Sequence, residues 1–97
     1  MIKHVVMFKF KGSPEERKDV ATKFMEALVQ LPCEIPQLKS IDVGINMNPS
    51  ESWDLVLTAT AESMEDVAIY SAHPAHQDAV AIIAPFKEDR ACVDYQV

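Results

Sequence analysis

The stretch IKHVVMFKFK at residues 2–11 alternates like a β-strand, yet neither of its faces is wholly polar. Ile2, His4, Val6, Phe8 and Phe10 share one face. Lys3, Val5, Met7, Lys9 and Lys11 share the other, which is apolar at its centre and basic at its end. A strand in a sheet with one wet side sets apolar against polar residues; here both faces call for cover. That demand constrains what the rest of the chain can build.

The rest is short. Ninety-seven residues make one domain, 1–97, and 48% hydrophobic content permits a packed core. A domain of this size buries only roughly 60–65% of its unfolded surface, so a partner's surface would stabilise it. The net charge of −6 argues against a nucleic-acid binder, which needs cations to displace counterions, and against an anionic membrane surface. No apolar run approaches a membrane span, and strand-like sequence starts at once, so a soluble, cytoplasmic protein is expected.

Helix signals follow the first strand. Ser13 suits an N-cap, Pro14 the first helical position, and Glu16 completes a capping box. Val20, Phe24, Leu28 and Leu31 give one apolar stripe, and Pro32 and Pro36 predict its end and an extended connection. LKSIDVGINM alternates as a second strand, with Ile41, Val43, Ile45 and Met47 on one face. After the turn-rich NPSES, WDLVLTATA reads as a third strand with Trp53, Leu55, Leu57 and Ala59 together, so an antiparallel hairpin is predicted. Ser63 starts a second helix that cannot run far past Ala72, because Pro74 disfavours helical backbone at His73. A further helix over 75–84 and a final strand within EDRACVDYQV complete the order β-α-β-β-α-β. The fold class is α+β: ferredoxin-like, with a split second helix and a four-stranded antiparallel sheet carrying helices on one face. The bare face, apolar as well, predicts a homodimer formed sheet to sheet.

Two of the three histidines lie in YSAHPAHQ, residues 70–77. On one reading the segment is a hinge: His73 caps the last helix, and His76 joins Ala79 or Val80 and Ile83 on its inward stripe as a hydrogen-bonded structural residue. On the other it edges a pocket, where the His76 imidazole takes a proton, the Tyr70 hydroxyl polarises a carbonyl, and His4 lines the opposite wall. His73 and His76 have a spacing that helical metal ligands use, but no carboxylate or cysteine stands at a diagnostic distance, so no metal is expected. Cys33 and Cys92 fit no metal or redox spacing and read as reduced, partly buried thiols. The glycines, Gly12 and Gly44, form no phosphate loop, and no nucleophile motif is present.

IKHVVMFKFK, SWDLVLTATAESMED, YSAHPAHQ and the closing CVDYQV together resemble the stress-responsive A/B barrel domain (Dabb) family over essentially the whole chain. The resemblance implies a dimeric α/β barrel of two ferredoxin-like sheets packed face to face. The family includes plant stress-induced proteins and a plant polyketide cyclase that closes a ring by aldol chemistry without a cofactor. That enzyme's catalytic tyrosine and histidine lie in a Tyr-x-x-His-Pro-Ala-His motif that matches Tyr70 and His76, and its strand-one pocket histidine matches His4. It has a further histidine on the third strand, where WDLVLTATA has none. The expectation is a homodimeric Dabb protein with a small-molecule pocket between sheet and helices, lined by His4 and His73, with Tyr70 and His76 as candidate catalytic residues. Its ligand would be small and apolar or carbonyl-containing, and no cofactor is expected. The alternatives are a cofactor-independent cyclase or lyase, a module whose dimer is itself the function, and a quinone-forming monooxygenase of the same barrel superfamily.

Overall fold

The computed structural model describes all residues, Met1–Val97. Each local signal produces an element: β1 (Ile2–Phe10), α1 (Pro14–Leu28), a 3-10 turn (Leu31–Cys33), β2 (Ser40–Ile45), β3 (Leu55–Ala61), α2 (Met64–Ala72), α3 (Pro74–Ile83) and β4 (Lys87–Gln96). The sheet order is β2-β3-β1-β4 with all neighbours antiparallel, the ferredoxin-like arrangement. At the start of α1 the Ser13 hydroxyl accepts from the Glu16 N–H while the Glu16 carboxylate accepts from the Ser13 N–H, a complete capping box. No helix is long and apolar enough to cross a membrane.

Alternation along β1 and β3 sends Val6, Phe8, Phe10, Leu55, Leu57 and Ala59 towards the helices, where Val20, Phe24, Leu28, Ala79 and Ile83 meet them. Phe24 is fully buried, its ring edge-on to Phe8 at 5.2 Å. This is the core, and it lies on one side of the sheet only. The other side keeps Val56, Val93 and Tyr95 exposed, at 38%, 63% and 45%. Thus one of the two apolar faces of the strands has no cover within the chain.

Three expectations need correction. The connection after α1 is not extended: Pro32 sits inside the 3-10 turn, and Ile35 and Leu38 follow it into full burial, closing one end of the core. Met47 is 91% exposed, because the chain leaves β2 at Ile45 and Asn46 turns it by bonding the backbone of Asn48. Trp53 does not share a face with Leu55. The Asp54 carboxylate accepts from the Phe10 N–H and faces Arg17 of α1, which breaks the alternation and leaves Trp53 under the Lys9 ammonium on the opposite side.

A helix-side core makes a contrast that unfolding can read. Phe24→Ala should lower stability by about 3–5 kcal/mol, and Met47→Ala by less than about 0.5 kcal/mol, in denaturant titrations with an unchanged slope.

Candidate functional site

The proline at position 74 shapes the site first. It holds His73 extended (φ −64°, ψ 138°), so α2 stops and α3 restarts at an angle. In an unbroken helix the Ser71 carbonyl would accept from the Ala75 N–H. Here Ala75 donates instead to His73 Nδ1 at 3.0 Å, so His73 caps α3. The freed Ser71 carbonyl takes two side chains, His76 Nδ1 at 2.9 Å and Gln77 Nε2 at 2.8 Å. A carbonyl only accepts, so Nδ1 of His76 carries the hydrogen and Nε2 of the neutral ring is a free base.

The break also turns His76 onto Tyr70. Their ring centroids lie 4.6 Å apart, and on its other side Tyr70 meets His4 of β1 at 6.0 Å, both edge-on. Tyr70 is 1% exposed and its hydroxyl has no hydrogen-bond partner. An unpaired buried hydroxyl costs about 1–3 kcal/mol. Burial pushes its pKa up to about 12, against a smaller pull from the positive charge of Arg90. Tyr70 therefore keeps its proton at every working pH. Burial shifts His76 the other way, below the usual imidazole range; the Ser71 carbonyl opposes this, and the charges of His4 and Arg90 add to it.

His4 stands on β1 directly opposite Asp94 of β4, and its Nδ1 lies 2.5 Å from Asp94 Oδ1. Cys92, two residues before Asp94 and on the same face, brings Sγ to 3.6 Å from the same nitrogen. Burial, then the Asp94 charge, raise the Cys92 pKa, while Arg90 lowers it. The sequence reading missed Asp94, Cys92 and Arg90. The signal that finds them is long-range: with β4 beside β1, every second residue from Arg90 shares the face of His4.

Of the predicted residues, the structure thus brings His4, Tyr70 and His76 into one cluster, while His73 is engaged as the cap. Cys33 is exposed rather than partly buried; Cys92 is intermediate, and both thiols are free. The four main cavities of the chain are lined by other residues: one of about 330 Å³ lies at Met7, Trp53 and Val56 on the outer sheet face, another of about 530 Å³ beneath the β2–β3 connection. The cluster is closest to solvent along β4, whose helix-side residues Arg90 and Asp94 are exposed. His4, Cys92 and Asp94 are also the side chains whose donor atoms lie close enough together to share a metal ion.

Fold and site together define a ferredoxin-like α+β domain with a lone buried phenol between two imidazoles on the helix side of its sheet. The chain matches the Stress responsive A/B Barrel Domain (Dabb) over residues 2–97, and it belongs to that family. It is 29% identical over 97 residues to olivetolic acid cyclase of Cannabis sativa, covering 97% of this chain and 94% of that protein. A dimeric protein of unknown function and ferredoxin-like fold from Bacteroides fragilis shares 42% identity and a TM-score of 0.96, with 99% and 95% of the two chains covered. A dimeric ferredoxin-like protein of unknown function from Thermobifida fusca shares 29% identity and a TM-score of 0.82 over 99% and 90%.

The opposite shifts of the pair are measurable. His76 should titrate below 6.5 in proton NMR, identified by its loss in His76→Ala. A base with a lowered native pKa binds fewer protons folded than unfolded. Its contribution to stability is therefore complete above 6.5 and is lost as pH falls from there through the native pKa.

Proposed function

We propose that this protein acts as a homodimer that binds a small carbonyl compound at Tyr70 and moves a proton on it through His76, with no cofactor. The observation that carries the reading is the buried, unpartnered Tyr70 hydroxyl, on a ring 4.6 Å from that of His76, whose Nδ1 is held by the Ser71 carbonyl. The hydroxyl donates to the carbonyl oxygen. His76 Nε2 takes the hydrogen from the carbon next to that carbonyl, the C–H electron pair becomes the carbon–carbon double bond of the enolate, and the oxygen gains negative charge against Tyr70. As the imidazolium forms, its Nδ1–H stays anchored on the Ser71 carbonyl, so the ring does not reorient during transfer. His4, held by Asp94, walls the opposite side. Kinship with olivetolic acid cyclase supports a carbonyl substrate class.

The dimer half of the proposal rests on the outer sheet face. Val5 of β1 pairs with Val93 of β4, Met7 with Val56 of β3, and Lys3 with Tyr95, an apolar surface over which no helix passes. Relatives described as dimeric support the same assembly. Light scattering should give a dimer at micromolar concentration, and Val93→Asp, which places a carboxylate on that face beside Val5, should give a folded monomer. A monomeric parent chain would sink the idea.

For the site, hydrogen–deuterium exchange at the activated carbon of 1,3-dicarbonyl compounds reads enolisation without knowledge of the product. The wild type should accelerate it, and His76→Ala should slow it by about 10²–10⁴-fold. Activity should fall as pH drops below the His76 pKa, because the protonated ring has no lone pair to offer. Tyr70→Phe should abolish acceleration while raising stability by up to about 1–3 kcal/mol, since it removes an unpaired buried hydroxyl. A Tyr70→Phe chain that is both less stable and fully active would assign the hydroxyl a structural role.

A further inference from the structure

The register of β1 and β4 brings three different donor types together at one edge of the sheet. His4 and Asp94 are directly opposite, and Cys92 lies diagonally across on the same face. Their ligand atoms all fall within 4.8 Å of one another. His4 is 6% exposed, with Nδ1 aimed at the other two rather than at water. The Cys92 sulfur has only long contacts, 3.6 Å to His4 Nδ1 and 3.9 Å to Asp94 Oδ2. Cys92 and Asp94 lie on the edge strand β4 and His4 on its interior neighbour β1, and the Asp94 side chain is 27% exposed, which leaves a route for an ion and a water ligand from the β4 side.

We propose that His4, Cys92 and Asp94 form a binding site for a borderline divalent transition ion, zinc or cobalt(II), with three protein ligands and an open fourth position. One nitrogen, one thiolate and one carboxylate suit such an ion, and the two negative ligands balance its charge. On binding, the Cys92 proton passes to solvent. The ion takes the Nδ1 lone pair of His4, whose ring hydrogen then sits on Nε2. Ligand bonds of ~2.0–2.3 Å require the His4–Asp94 pair to open slightly, which Asp94, partly exposed on the edge strand, achieves by rotating. The hard ions magnesium and calcium, which take oxygen ligands, do not fit this donor set. The site takes no ligand from Tyr70 or His76, but it shares the His4 ring that lies 6.0 Å from Tyr70.

The test is a cobalt(II) titration of the reduced, chelator-stripped whole chain in a Cys33→Ser background, which removes the exposed thiol. One cobalt per chain is expected, with thiolate-to-cobalt charge-transfer absorption and the intense ligand-field bands of a four-coordinate ion. Cys92→Ser should abolish the charge-transfer band. Asp94→Asn, at an exposed and foldable position, should weaken binding at least as much as loss of a mere outer-shell partner does, roughly 10–100-fold. His73→Ala and Tyr70→Phe should leave the spectrum unchanged. A charge-transfer band absent from the parent or surviving Cys92→Ser overturns the site, as does cobalt affinity indifferent to Asp94→Asn. Binding lost in His73→Ala would place the ion on the α2–α3 break instead and overturn it equally.

Discussion

Pro74 has no N–H to give the Tyr70 carbonyl, and its ring denies His73 a helical backbone. From that one steric fact the site follows. The Tyr70 carbonyl takes the His73 N–H instead, at 3.2 Å, and the Ser71 carbonyl loses its helical donor. It gains the His76 and Gln77 side chains. A continuous helix through residues 64–83 would carry His76 about 9 Å along the axis from Tyr70 and roughly 120° around it. The bend folds it back instead, ring against ring at 4.6 Å. The hinge reading of YSAHPAHQ is seen in the extended backbone at His73, and the hinge is what brings the two rings together.

Burial then does two opposite things with one cause. Removing water disfavours the charged form of either group, so the phenol holds its proton and the imidazole stays empty. A protonated phenol and a neutral imidazole then stand with their rings 4.6 Å apart, the protonation states that the proposed proton transfer would require. Neither requires a charged neighbour to set it. Arg90 weakly favours phenolate and disfavours imidazolium, and it acts from the exposed strand β4, where its field is softened by solvent. Desolvation is the stronger influence on both.

What was legible in the sequence was local. The capping box at Ser13, the stripe through Val20, Phe24 and Leu28, and the stop before Pro74 are set by neighbours a few residues apart. So the order of elements could be written down, and with it the sheet. Side-chain direction failed where a distant partner decides it. Trp53 leaves the face of Leu55 because Asp54 is claimed by Phe10 and Arg17, far away in sequence. Ile35 and Leu38 look like linker residues until the core end they seal exists. The same holds for the site: His4, Tyr70 and His76 were readable from a motif and an alternating strand, whereas Asp94 and Cys92 matter only through a register spanning nearly the whole chain.

Under the two proposals, that register would give His4 two roles that compete for one ring. With Asp94 accepting from Nδ1, the hydrogen is fixed there and Nε2 is left as an acceptor. An ion on Nδ1 reverses the tautomer and turns Nε2 into a donor. The ring that walls the Tyr70 site would then change from an acceptor of hydrogen bonds to a supplier of one, without moving. Because Tyr70 lies between His4 and His76, a ligand carbonyl accepting from the phenol would meet a different neighbour in the two states. If both proposals hold, metal occupancy and ligand preference would be coupled through a single imidazole, with no conformational change beyond the rotation of one exposed carboxylate.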